Sequence, residues 1–449
     1  MTAATTSGIT RQRLSLVSLM SGDRLLSHNV VVGIGTFAAG GLGVAFQSIA
    51  SHQMRPADYG AVFAVVTILT FIGLPAGAFT LLMARETSRG SATGLRAESA
   101  ALLRRGSHAL LLIGIAVAGA LALGSPWLSG FLDVPFELIL AAAVGVPCAL
   151  ALPFLMGEFQ GEQRFVEYAA LSTGQAALKL AGAVGLGLLL GPLGVIAGIS
   201  AATVVMYFIA ARMLRRRLSI RPNLAWFRPA AAYLVVVLPS TLALAVLLSA
   251  DVLLVKHYFA SKAAGEYAAV AALGRAIFWG ASGVAIVLFP KITARAAEGK
   301  SAVRLVGASL SLVAVGGVAG FAVLWLMSRW LLNAFAGGAY ADAAMYLPAY
   351  AIGMMLLGGV AVLVATQQSR GEPTFLAILV PLTVVEPGLI ALFHQSVMQV
   401  IQVLDLSMLL ALAGLGVLYA WQVRRGSRSA IVSVAASSLA PPPQFQGNQ

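Results

Sequence analysis

The chain has 449 residues, of which 59% are hydrophobic and only 10% charged, with a mean hydropathy of +0.90 and a formal charge of +13. A soluble domain carries roughly a quarter charged residues, so this composition excludes a water-soluble protein. The basic excess would suggest nucleic acid only if it formed a patch on a soluble domain. Here the basic residues fall in short stretches between apolar runs, which makes them topology signals and leaves no nucleic-acid partner.

About 20 apolar residues span the ~30 Å hydrocarbon core, and the spacing predicts about twelve such helices. They lie near 29–50, 60–84, 107–123, 136–156, 168–190, 193–211, 230–250, 268–290, 303–326, 344–366, 375–393 and 397–421. The shortest gap falls at Gly191-Pro192. The expected class is an all-α membrane protein with two pseudo-symmetric six-helix lobes around a central cavity. The expected domains are a cytoplasmic segment 1–28, an N-terminal lobe 29–211, a basic linker 212–229, a C-terminal lobe 230–421 and a cytoplasmic, disordered tail 422–449. The outer loops near 124–135 and 327–343 are read as short and nearly uncharged.

With the N-terminus inside, 23 Lys and Arg residues fall on the cytoplasmic side and 4 on the other, while Lys179 and Arg275 stay within spans. That is the positive-inside pattern for twelve spans with both termini cytoplasmic. The run Arg215-Arg216-Arg217 reads as a topology anchor at anionic headgroups. The halves repeat at an offset of about 208 residues: Asp58-Tyr59-Gly60-Ala61-Val62 matches Glu266-Tyr267-Ala268-Ala269-Val270, and Gln160 matches Gln368. Six spans per half give a parallel repeat, with the path expected between the halves.

Catalytic and metal patterns are not found. Cys148 stands alone, which excludes an intrachain disulfide and a Cys-based metal site. The five histidines show no ligand spacing. Glu298-Gly299-Lys300-Ser301 lacks the first glycine of a phosphate loop, position 294 being Ala. No cofactor is expected.

Ionisable residues inside apolar runs carry the functional signal, because a charge at mid-membrane costs at least ~2.5–3.5 kcal/mol and so faces a cavity or a partner. These are Lys179, Asp251, Arg275, Glu386 and Asp405. Lys179 shares a helical face with Gln175 and Ser172, and Arg275 one with Trp279 and Ser282. Asp405 follows Gln402 and Gln399, and Glu386 follows Thr383. Asn29, Thr36, Gly40 and Gln47 form one stripe on the first span. The spacing does not separate a wet path from a buried hydrogen-bond network.

Asp251-Val252-Leu253-Leu254-Val255-Lys256-His257-Tyr258-Phe259, then Ala264-Gly265-Glu266-Tyr267 and Val287-Leu288-Phe289-Pro290-Lys291, resemble the seventh-to-eighth-helix signature of the polysaccharide exporter and O-antigen flippase family. Ala57-Asp58-Tyr59-Gly60 and Gln367-Gln368-Ser369-Arg370-Gly371 resemble it too. That family belongs to the multidrug/oligosaccharidyl-lipid/polysaccharide exporter superfamily. The resemblance implies two lobes forming a V around an often cationic cavity, with Arg275 as a cavity arginine. Lipid II flippases of the superfamily have fourteen helices, for which this chain has no room, so the resemblance implies the glycan-flippase branch.

The expected function is therefore an inner-membrane flippase for a lipid-linked glycan of the polyprenyl diphosphate type, working by alternating access without enzymatic activity. Arg275, Lys179 and Gln47 are the expected substrate-binding residues, and Asp251, Glu386 and Asp405 the expected ion-coupling ones. Expected partners are the lipid bilayer and a glycan polymerase or glycosyltransferases. The alternatives are a drug or small-metabolite exporter of the same superfamily, a membrane-embedded glycan-assembly enzyme, or a partner protein without transport.

Overall fold

The computed structural model describes residue 35 and residues 38–438, apart from 95, 220–227, 298–301 and 371–372. The expected segment 1–28, the start of the first span with Asn29 and Thr36, the middle of the linker, the Glu298–Ser301 stretch, Gly371 and the end of the tail lie outside the described residues. Among the described residues the chain is helical throughout, with eleven helices long and apolar enough to cross a membrane. It is a multi-pass, all-α membrane protein.

In chain order, α1 covers 38–53, followed by α2 (Pro56–Thr93), α3 (Arg96–Leu132), α4 (Phe136–Gly161), α5 (Phe165–Leu190), α6 (Pro192–Met213) and the short α7 (Arg215–Leu218). Then come α8 (Arg228–Tyr258), α9 (Ser261–Ala297), α10 (Val303–Leu326), α11 (Ser328–Ala336), α12 (Leu347–Arg370), α13 (Leu376–Leu392) and α14 (Val397–Ser438). Each expected span from the second onward coincides with one of these helices. Several are longer than the membrane requires. The 38 residues of α2 rise ~57 Å at 1.5 Å per residue, so the helix leaves the hydrocarbon before its arginines, Arg85 and Arg89.

Three local features follow from residue chemistry. The turn between α5 and α6 is a single glycine, Gly191, at φ 59 and ψ −140, with Pro192 as the first helical residue. Glycine tolerates that positive φ, and proline at the first position gives up an N–H that has no helical partner. Secondly, the region 327–343, expected as a loop, holds α11 and a 3-10 segment, Gly338–Tyr346. Leu332, Phe335 and Ala336 are buried on one side of α11 and Arg329 and Trp330 exposed on the other, an amphipathic pattern too short to stand out in a hydropathy profile. Thirdly, α14 continues to Ser438, so residues 422–438, expected in the disordered tail, are helical. No proline interrupts it, the first beyond the span being Pro441.

Two compact units can be described separately. The first comprises the chain up to Leu273 together with Met327–Leu347. In it α4 is central, packed against α2, α3 and α6. Lipid tails are as apolar as leucine, so membrane helices associate through close contact of small residues. A Cβ on Gly182 of α5 would lie 3.0 Å from the Gly198 carbonyl oxygen of α6, and one on Gly145 would lie 2.9 Å from the Ser200 hydroxyl. The second unit comprises Gly274–Leu326 and the chain from Pro348 onward. There Ala281, Leu288, Val306, Val313 and Val362 form a buried cluster joining α9, α10 and α12.

Candidate functional site

Within the first unit, α2, α4, α5 and α6 line a cavity of about 430 Å3. Gly73 and Gly77 of α2 open one wall, since a Cβ on either would meet nothing within 4 Å. The polar lining includes the hydroxyls of Thr80, Tyr168, Ser172 and Thr203, the amide of Gln175 and the ammonium of Lys179. Ser172, Gln175 and Lys179 are spaced by three and four residues on α5, so the stripe seen in the sequence faces one chamber. Space of this size and polarity suits water and small polar groups.

Lys179 lies fourteen residues into the 26-residue α5, ~21 Å from its start and therefore at bilayer depth. Its Nζ sits 4.9 Å from the centroid of the Phe46 ring of α1, a cation–π contact. No acidic side chain lines the cavity. The arrangement is a positive charge in a polar chamber that holds no negative one.

The other expected residues have different surroundings. Arg275 of α9 is buried at 6% exposure, and its Nε donates to the Tyr350 hydroxyl of α12 at 3.2 Å. Trp279, expected on the same face, is 49% exposed. Gln47 accepts a bond from the Tyr59 hydroxyl at 3.2 Å, and Asp251 one from the Tyr267 hydroxyl at 2.7 Å. Tyr59 and Tyr267 are the repeat-related tyrosines, each tied to the preceding helix. Lys256, five residues after Asp251, lies 3.7 Å from Asp133. Glu386 of α13 is fully buried in the second unit. Asp405 of α14 faces Gly353 of α12, where a Cβ would come within 2.6 Å of its Oδ1. The structure thus brings Lys179 together with Gln175 and Ser172. Arg275, Glu386 and Asp405 belong to the other unit.

Sequence reasoning missed one polar centre. Glu158 of α4 is fully buried, accepts from the Thr87 hydroxyl of α2 at 2.5 Å and pairs with Arg217 of α7, whose Nε is 2.7 Å away. Arg217 also donates to the Ser99 hydroxyl of α3 at 3.3 Å and lies 3.6 Å from Glu162. The third arginine of the run is therefore a clasp over α2, α3 and α4 rather than only a headgroup anchor. The sequence signal was Glu158 itself, an acid at the end of an apolar run. The cavity hydroxyls on α2 and α6 had no such signal, because isolated threonines are ordinary in membrane helices.

The sequence matches no protein-family profile and no curated protein. Solved structures do match. An inward-facing multidrug resistance MATE family transporter of the MOP superfamily is similar at a TM-score of 0.71 and 14% identity, over 89% of this chain and 96% of that one. An outward-facing transporter of that description gives 0.66 and 15%, over 89% and 94%. Lipid II flippase MurJ, inward closed, gives 0.67 and 14%, over 93% and 94%. The chain has their fold. Its span of 94% of the MurJ chain also removes the argument from length that set lipid II flippases apart.

Proposed function

We propose that this protein is a transporter of the MOP superfamily that moves an anionic, lipid-linked glycan precursor across a bacterial inner membrane, without catalysing a reaction. The fold shared with transporters supports the class. The observation that carries the substrate is Lys179, a cation at bilayer depth facing a polar chamber without an acid. A buried charge is costly until it is paired, and phosphate oxygens make strong charge-assisted hydrogen bonds to ammonium groups.

In this reading the cargo's diphosphate enters the chamber while its polyprenyl chain remains in lipid. A cavity of about 430 Å3 holds a diphosphate and the first sugar but not a long glycan, so further sugars extend beyond it. Two six-helix halves, joined by the linker at 212–229, would rock to alternate access. The 23-to-4 split of basic residues supports cytoplasmic termini. Arg275 would join the path once Tyr350 moves, with Gln47 as a neutral contact. Asp405, Glu386 and Asp251 are the proposed carriers of a coupling ion.

The second reading is a drug exporter, favoured by the similarity to multidrug transporters. A cationic drug would be repelled by Lys179. Proteoliposomes containing the purified protein separate the two. A fluorescent polyprenyl-diphosphate oligosaccharide should cross in wild-type vesicles and a lipophilic organic cation should not. Transport of the cation alone would establish the second reading.

A further inference from the structure

A second polar and aromatic cluster lies in the first unit, where α3 turns into α4 and α8 into α9. Trp127 and Phe131, one turn apart on α3, stack with centroids 5.4 Å apart and planes 12° apart. Phe131 in turn stacks on the His257 imidazole of α8 at 3.9 Å and 12°. The three rings form one column of nearly parallel planes with Phe131 in the middle, and Trp127 at its end. Tyr258 closes it edge-on at 4.6 Å. Trp127 is 69% exposed.

Two fixed polar groups border the row. His257 Nδ1 lies 2.6 Å from the Phe131 carbonyl oxygen. A carbonyl can only accept, so Nδ1 carries a proton, and Nε2 is the ring nitrogen left to face a ligand. Asp133 follows the end of α3 in the left-handed region at φ 48, a strained conformation for a residue with a side chain. Its Oδ2 accepts from the Ser261 hydroxyl at 2.6 Å and lies 3.7 Å from Lys256 Nζ. The Ser261 bond first, and the Lys256 charge second, hold its carboxyl below the usual carboxylate range. Both partners use Oδ2, and the side chain is 80% exposed, so Oδ1 faces outward on an ionised group.

An interfacial aromatic belt needs only amphipathic rings at headgroup level. A stacked row bordered by an oriented imidazole nitrogen and an ionised carboxylate has a more specific chemistry. A pyranose offers a flat C–H face to an aromatic ring and hydroxyl donors at its edge, which a carboxylate and an imidazole nitrogen accept. We propose that Trp127, Phe131, His257 and Asp133 form a saccharide-binding platform that takes a neutral pyranose ring of the translocated glycan. Asp133 would repel an acidic sugar. This inference rests on the glycan reading above, under which the basic excess puts the platform on the outer face, where the glycan emerges.

The test is complementation of a deletion strain of the native host, reading exported surface glycan and accumulated lipid-linked intermediate. Loss of the protein should abolish export. Trp127→Ala and Asp133→Asn should each lower export about tenfold at unchanged abundance, and Trp127→Phe should restore most of it. His257→Phe keeps a stacking ring without the Nε2 nitrogen and should show an intermediate defect. If the deletion strain exports normally, the glycan reading fails and takes the platform with it. If the deletion abolishes export while Asp133→Asn and Trp127→Ala both export at the wild-type rate, the platform alone is overturned. Should Trp127→Ala reduce abundance, the exposed Asp133→Asn and the stack-preserving His257→Phe decide the matter.

Discussion

Lys179 and Arg275 looked alike in the sequence: each is a cation inside an apolar span with polar residues at helical spacing. In the structure they differ. Lys179 opens onto a chamber without acidic groups and touches an aromatic face, whereas Arg275 is buried and donates to Tyr350. Helical spacing tells which residues share a face, but what lies opposite is decided by the neighbouring helices. Opposite Lys179 the glycines Gly73 and Gly77 leave space. Opposite Arg275 stands the ring of Tyr350, packed so closely over Gly274 that an added Cβ there would lie 2.5 Å from it. Arg275 is held by a built-in partner until Tyr350 moves, whereas Lys179, beyond its aromatic contact, has open polar space before it.

The contrast can be sharpened with a third cation, Arg217, which has a buried acid as its partner. Replacing it with Ala strands Glu158, and removing one member of a buried pair costs about 3–5 kcal/mol. Arg217→Ala should therefore show the largest drop in thermal stability of the purified protein, with Glu158→Gln recovering part of it in the double variant. Arg275→Met should be next. It leaves the Tyr350 hydroxyl without this donor, a loss of about 1–3 kcal/mol, and Tyr350→Phe in the same background should lose little more. Lys179→Met should be neutral or slightly stabilising, because it removes an uncompensated charge from bilayer depth. A large loss of stability in Lys179→Met would break the contrast.

The smallest effect concerns pH. The folded carboxyl of Asp133 titrates below its ordinary value of 3.8. Its contribution to stability is therefore complete above that ordinary value and is lost as pH falls through the lower, folded one. Because the group is largely exposed, solvent screens it and the gain is small. The melting temperatures of wild type and Asp133→Asn should differ slightly at pH 6, and the gap should narrow as pH falls below 3.8. A gap that widens on acidification would contradict the assignment.

Most of the fold was legible in the sequence because apolar runs of span length report the membrane directly. Even the one-residue turn at Gly191-Pro192 could be read, since glycine and proline each have a single physical use there. α11 was not legible: nine amphipathic residues between two apolar runs look like a loop. The cavity was legible from one wall only, the stripe of Ser172, Gln175 and Lys179. Its other walls depend on where α2 and α6 pack. Glu158 and Arg217 are 59 residues apart, and nothing in their local sequence announces that the linker folds back to join them.

The central claim is that the cation of Lys179 awaits the diphosphate of a lipid-linked glycan. The most direct test is translocation of a fluorescent polyprenyl-diphosphate oligosaccharide in proteoliposomes carrying Lys179→Arg or Lys179→Met at matched protein density. The account predicts that Lys179→Arg retains most of the rate and Lys179→Met loses it at unchanged stability. A wild-type rate in Lys179→Met would contradict it.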